Sequence, residues 1–135
     1  MAGHFYFSDK IPVETPTPNP TPNGTILTEI RTVRNVMSSD AEAETIGIFH
    51  NAKVAVPIRT SLTELNHPQP SATIITDNIT SHGILTSNIR QKRSKGFDMN
   101  IYWVKDIIKR KQLLLFWDIG TNDKVDYFNK HFSPK

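Results

Sequence analysis

The chain has 135 residues, 37% of them hydrophobic and 21% charged, with a net charge of +3; that is one domain's worth of globular composition with a mild basic bias, and it excludes an acidic disordered chain or a strongly basic tail. The absence of cysteine excludes disulfides, cysteine zinc sites and a thiol nucleophile. No apolar run reaches the roughly 20 residues that span a bilayer, and the five histidines, His4, His50, His67, His82 and His131, include no i, i+4 pair beside a carboxylate, which argues against a histidine metal site.

The opening Met-Ala-Gly-His-Phe-Tyr-Phe-Ser lacks a positive segment followed by a long apolar core, so the expected location is intracellular, cytoplasmic or nuclear. The Asn-x-Thr sequons at Asn23 and Asn78 are then expected to stay unmodified. Phe5, Tyr6 and Phe7 suggest a short aromatic strand. It runs into residues 9–24, a proline-rich loop in which residues 11–24 hold five of the nine prolines; repeated proline removes donors and fixes φ. Residues 25–37, with Ile26, Ile30, Val33 and Val36 among polar neighbours, read as a second, solvent-facing strand completing a hairpin.

Ser39 with Glu42 three residues on forms a capping box for a helix over 41–56, which Pro57 is expected to break or kink. A second short helix is expected over 58–65, ended by Asn66 and Pro68. Residues 72–76, with Thr73, Ile74, Ile75 and Thr76 in a β-branched run, predict a buried strand stopping at Asp77, followed by a short helix over 80–88. Residues 90–111 hold eight of the sixteen basic residues; within them Phe97, Ile101, Val104 and Ile108 make one apolar helical face. Residues 112–117 form a final strand, and a last helix begins over 125–130. The order is that of an α/β protein.

Three carboxylates occupy positions where chemistry is possible. Glu44 lies in the first turns of the capped helix, Asp77 at the C-terminal tip of a strand and Asp126 in the first turn of the last helix. Strand tips in open α/β sheets are where sites form, and converging carboxylates can hold a pair of magnesium ions for phosphodiester cleavage. Residue types alone equally suit caps and solvated acids, and Glu42 is explained by capping. Arg90, Lys92, Arg93 and Lys95 read either as a solvated charge run or as a loop gripping phosphates without reading sequence. Tyr102 and Trp103 read as packing groups.

Four runs, Ser38-Ser39-Asp40-Ala41-Glu42-Ala43-Glu44-Thr45, Thr76-Asp77-Asn78, Arg93-Ser94-Lys95-Gly96-Phe97-Asp98 and Val125-Asp126-Tyr127-Phe128-Asn129-Lys130, resemble in order and spacing the ribonuclease H domain of copia-type retrotransposon polyproteins. The resemblance covers nearly the whole chain from about His4 and implies a mixed sheet flanked by helices. It assigns the catalytic, metal-holding carboxylates to Glu44, Asp77 and Asp126, with Glu42 as the alternative to Glu44, and nucleic-acid contacts to Arg90, Lys92, Arg93 and Lys95. The implied cofactor is Mg2+, two ions in the intact family. The implied partners are an RNA–DNA hybrid or duplex and, in a polyprotein, the reverse transcriptase portion. The family's remaining aspartate lies on a central first strand, paired antiparallel with the next strand and parallel with the strand ending at Asp77. That strand is expected to be missing here, making the chain a truncated, inactive fragment. Asp9 resembles its aspartate superficially, but assigning it leaves one strand where two are needed before the helix. The alternative is a non-enzymatic, nucleic-acid-binding relic of a decayed retrotransposon.

Overall fold

The structure, a computed structural model, describes residues 2–8, 22–32, 37, 39–87 and 95–119. Its elements run β1 (Ala2–Ser8), β2 (Pro22–Ile30), α1 (Asp40–Glu64), β3 (Ala72–Thr76), α2 (Ile79–Thr86), α3 (Lys95–Lys109) and β4 (Leu113–Trp117). The protein is α/β, as its pattern of elements predicts, but its strands form two separate two-stranded sheets: β1 with β2 antiparallel, and β3 with β4 parallel. The four described strands therefore do not join into one mixed sheet.

The hairpin begins at Ala2 and its second strand starts at Pro22, inside the proline-rich run, earlier than residue patterning suggests. Pro22 opens that strand opposite Ser8, a position where a missing donor is tolerated. The register slips between Phe5 and Tyr6 and between Tyr6 and Ser8, each time with an extra residue on β2, and Gly24 lies within the second slip at a φ of 106° that a side chain would resist. Most of β2 is exposed, including Ile26, Leu27 and Ile30.

Helix α1 starts as its cap predicts: Ser39 is extended, and its hydroxyl accepts from the Glu42 amide at 3.3 Å. The expected break at Pro57 does not occur, and the two anticipated helices are one. Proline removes the bond to the Lys53 carbonyl four residues back. Lys53 and Pro57 are both exposed, so water can serve that carbonyl. The extension is further held by Arg59, whose guanidinium donates to the Pro70 carbonyl at 2.6 Å and the Gln69 carbonyl at 3.1 Å. The helix ends at Asn66, as its sequence suggests. Asn66 takes φ 68°, the His67 amide donates to the Leu62 carbonyl and the Asn66 amide to the Thr63 carbonyl, a Schellman termination. Helix α3 ends the same way around Lys111, at φ 55°.

The core joins the three helices to one face of the β3–β4 sheet. Ile48 and Ala52 from α1, Ile84 and Leu85 from α2, and Ile101, Val104 and Ile107 from α3 pack with Leu113 and Leu115 of β4, while Ala72 and Ile74 of β3 lie against them. Of the predicted apolar face of α3, Ile101 and Val104 are buried and Ile108 is partly buried, Ile107 lies deeper than Ile108, and the side chain of Phe97 lies outside the described residues. The hairpin meets α1 at Gly3, which is buried; a Cβ there would overlap the Asn51 side chain.

Candidate functional site

The C-terminal tip of β3 is built from side chains that sequence spacing alone leaves apart. Parallel pairing with β4 ends at Thr76 opposite Trp117, and the Asp118 amide donates to the Thr76 carbonyl at 3.0 Å, so both strands finish at the same level. Thr76 is 2% exposed. Its hydroxyl accepts from the Asn78 amide at 3.2 Å and donates to Glu44 Oε1 at 2.8 Å. One threonine thus fixes the turn after the strand and brings the α1 carboxylate to the strand end from which Asp77 projects into solvent.

The surrounding bonds make this tip rigid. Asn78 caps α2, its side chain accepting from the Ser81 amide at 3.0 Å. The Ser81 hydroxyl donates to the Ala41 carbonyl at 2.9 Å, and the Thr45 hydroxyl donates to the same carbonyl at 2.6 Å. Trp117 Nε1 donates to the Asp77 carbonyl at 3.0 Å. Thr45, Thr76 and Ser81 are the buried polar residues among the described ones. All three stand behind Glu44 and Asp77, where each hydroxyl has a partner.

Glu44 is therefore bonded to the last residue of β3, and Asp77 follows that residue with its side chain exposed. Glu42 sits beside the cap, its amide held by Ser39. Asp126, Arg90, Lys92 and Arg93 lie outside the described residues, as does the side chain of Lys95. Among the described residues no group of three histidines or acids is placed to hold a metal ion. The residue that sequence reasoning passed over is Thr76, read there only as part of a buried strand. A hydroxyl at the last buried position before an aspartate was the available signal.

Two other groups carry perturbed electrostatics. Burial, then Lys53 and Arg31, hold the His50 imidazole below its ordinary value, with Glu29 opposing. Lys105 is held below the usual lysine range by burial, and its ammonium donates to the Ser87 carbonyl at 2.8 Å. Trp103 packs edge-on against Phe49 at 5.4 Å between centroids, the packing role its sequence context suggests, although it stays 36% exposed; Tyr102 is exposed.

Among the described residues no helix is long and apolar enough to cross a membrane. Comparison of the chain with protein-family models, with curated proteins and with solved structures yields no match.

Proposed function

We propose that this chain is part of a ribonuclease H-like nuclease of retrotransposon type, whose intact form cuts the RNA strand of an RNA–DNA hybrid. The observation that supports the reading is the Thr76 hydroxyl bond to Glu44, which holds one candidate carboxylate at the end of the strand that Asp77 follows. The order of elements agrees with it: an antiparallel hairpin, a capped helix, a strand ending in Asp77, and a parallel neighbour. The break between the two sheets also agrees, because the family's central first strand pairs antiparallel with the strand corresponding to β1 and parallel with the one corresponding to β3.

Glu44 and Asp77, with Asp126 as a third candidate, would hold the magnesium ions. Bound there, those ions would activate water and stabilise the leaving oxygen. The chain's own contribution is positional: Thr76 fixes the Glu44 carboxylate, and the bonds at Asn78, Ser81 and Trp117 keep the Asp77 backbone from moving. Arg90, Lys92, Arg93 and Lys95 would hold the duplex by its phosphates. In this reading the described residues supply no counterpart to the family's first-strand aspartate, and cleavage requires that strand.

The test supplies that strand as a synthetic peptide of alternating apolar residues with a central aspartate. Magnesium-dependent cleavage of the RNA strand of a hybrid is expected, lost in both Glu44→Gln and Asp77→Asn. A peptide that joins the sheet, seen by new amide protection in β1 and β3, without producing cleavage would overturn the reading.

A further inference from the structure

Of the ten asparagines in the chain, Asn23 is the one followed by glycine. Glycine has no Cβ to hinder its own backbone nitrogen from attacking the preceding side-chain amide. Whether a folded chain permits that attack depends on how the two residues are held, and β2 holds this pair outside the regular ladder. Its register pairs Tyr6 with Thr25 and Ser8 with Pro22, so that Asn23 and Gly24 both stand opposite Phe7. A bulge of this kind leaves its surplus residue unpaired. Both residues are exposed, and Gly24, at a φ of 106°, has nothing but its own chain neighbours within 4 Å of the place its Cβ would take. The other described asparagines are held differently. The Asn78 side chain accepts from the Ser81 amide, the Asn51 side chain lies against Gly3, Asn100 is inside α3, and Asn66 belongs to the hydrogen-bonded end of α1.

We propose that Asn23 is a site of spontaneous deamidation in the folded chain, a modification that needs no enzyme and gives aspartate and isoaspartate through a cyclic imide formed with Gly24. The Gly24 nitrogen loses its proton to solvent base and bonds to Asn23 Cγ; the bond from Cγ to the side-chain nitrogen breaks, and that nitrogen leaves with a proton as ammonia. Water then opens the ring. Opening at the side-chain carbonyl restores an ordinary backbone with aspartate, and opening at the main-chain carbonyl routes the backbone through Cγ as isoaspartate. The sum is asparagine plus water to acid plus ammonia, with no change of oxidation state. The fold accommodates either product, because the bulge already carries surplus backbone and lies at the opposite end of the hairpin from Gly3, where α1 packs. This inference stands independently of the nuclease reading.

The test incubates the intact chain in mildly alkaline buffer made with heavy-oxygen water, folded and in urea, and follows each asparagine by peptide mass spectrometry, with an isoaspartyl methyltransferase as the probe for the iso form. Asn23 is expected to convert in the folded chain faster than Asn51, Asn66, Asn78 and Asn100, at a rate comparable with that in urea, and to yield both products carrying the heavy oxygen. Conversion of Asn23 in urea but not in the folded chain would overturn the inference, since the hairpin would then protect it. Aspartate without isoaspartate would overturn the cyclic route. Gly24→Ala is strained at a positive φ, so it is compared with the parent in urea, where the fold no longer matters; there it should slow conversion by about tenfold, and an unchanged rate would mean that the Gly24 nitrogen does not close the ring.

Discussion

Replacing Thr76 by valine removes one hydroxyl while leaving shape and volume almost unchanged, and so isolates the polar arrangement at the β3 tip. The hydroxyl is buried and makes two bonds, one to the Glu44 carboxylate and one from the Asn78 amide. A bond to a charged group contributes about 1.5–3 kcal/mol, and leaving a buried donor unsatisfied costs about 1–3 kcal/mol. Valine recovers part of this through its added apolar surface, so a net loss of about 2–3 kcal/mol is expected. Thr76→Ser retains both bonds and loses one methyl, a cost of about 0.8 kcal/mol. Urea unfolding of the three proteins, followed by circular dichroism, reads the difference as a shift in midpoint at constant slope. In thermal melts Thr76→Val should fall roughly 8–12 °C below the parent chain. Equal stability of the valine and serine variants would refute the claim that this hydroxyl holds Glu44 at the strand end.

Gly3→Ala should destabilise the chain by about 1–3 kcal/mol, because the new Cβ meets the Asn51 side chain and lies 3.2 Å from the Phe5 ring; adding Asn51→Ala should restore much of the loss in a double-mutant cycle. His50 is held below 6.5 in the folded chain, so the unfolded state binds its proton first, and the contribution of neutral His50 is full above pH 6.5 and declines as pH falls below it. The stability gap between the parent and His50→Gln should therefore narrow between pH 7.5 and 5.5, and a widening gap would contradict the sign. Binding to an RNA–DNA hybrid should be weak and fall with salt at a slope of up to about −3.6 for four phosphate contacts; replacing Arg90, Lys92, Arg93 and Lys95 by serine should abolish most of it, and unchanged affinity would leave those residues as a solvated charge run.

Local signals carried much of the fold into the sequence. Ser39 and Asn66 bound α1 through side-chain and backbone chemistry that operates within a few residues, so both ends were readable. The β-branched run before Asp77 was readable for the same reason. Pro57 was misleading because its effect depends on whether the Lys53 carbonyl can reach water, which tertiary structure decides. The separation of the strands into two pairs was likewise invisible to periodicity, since pairing joins residues far apart in the chain. At the site, the candidates Glu44 and Asp77 could be named, but spacing contains no information on whether two acids 33 positions apart meet. Thr76 ties Glu44 to the strand end, a role that appears only once α1 is laid beside it.

The most direct test of the account titrates the isolated chain with Mn2+, a paramagnetic stand-in for Mg2+, while recording the broadening of backbone amide signals. Two carboxylates with ordered neighbours should bind the ion weakly, so broadening is expected first at Thr76, Asp77 and Asn78 and around Glu44, and should be greatly reduced in either Glu44→Gln or Asp77→Asn. Broadening that begins elsewhere, or that survives Asp77→Asn unchanged, would contradict the assignment of this strand tip as the site.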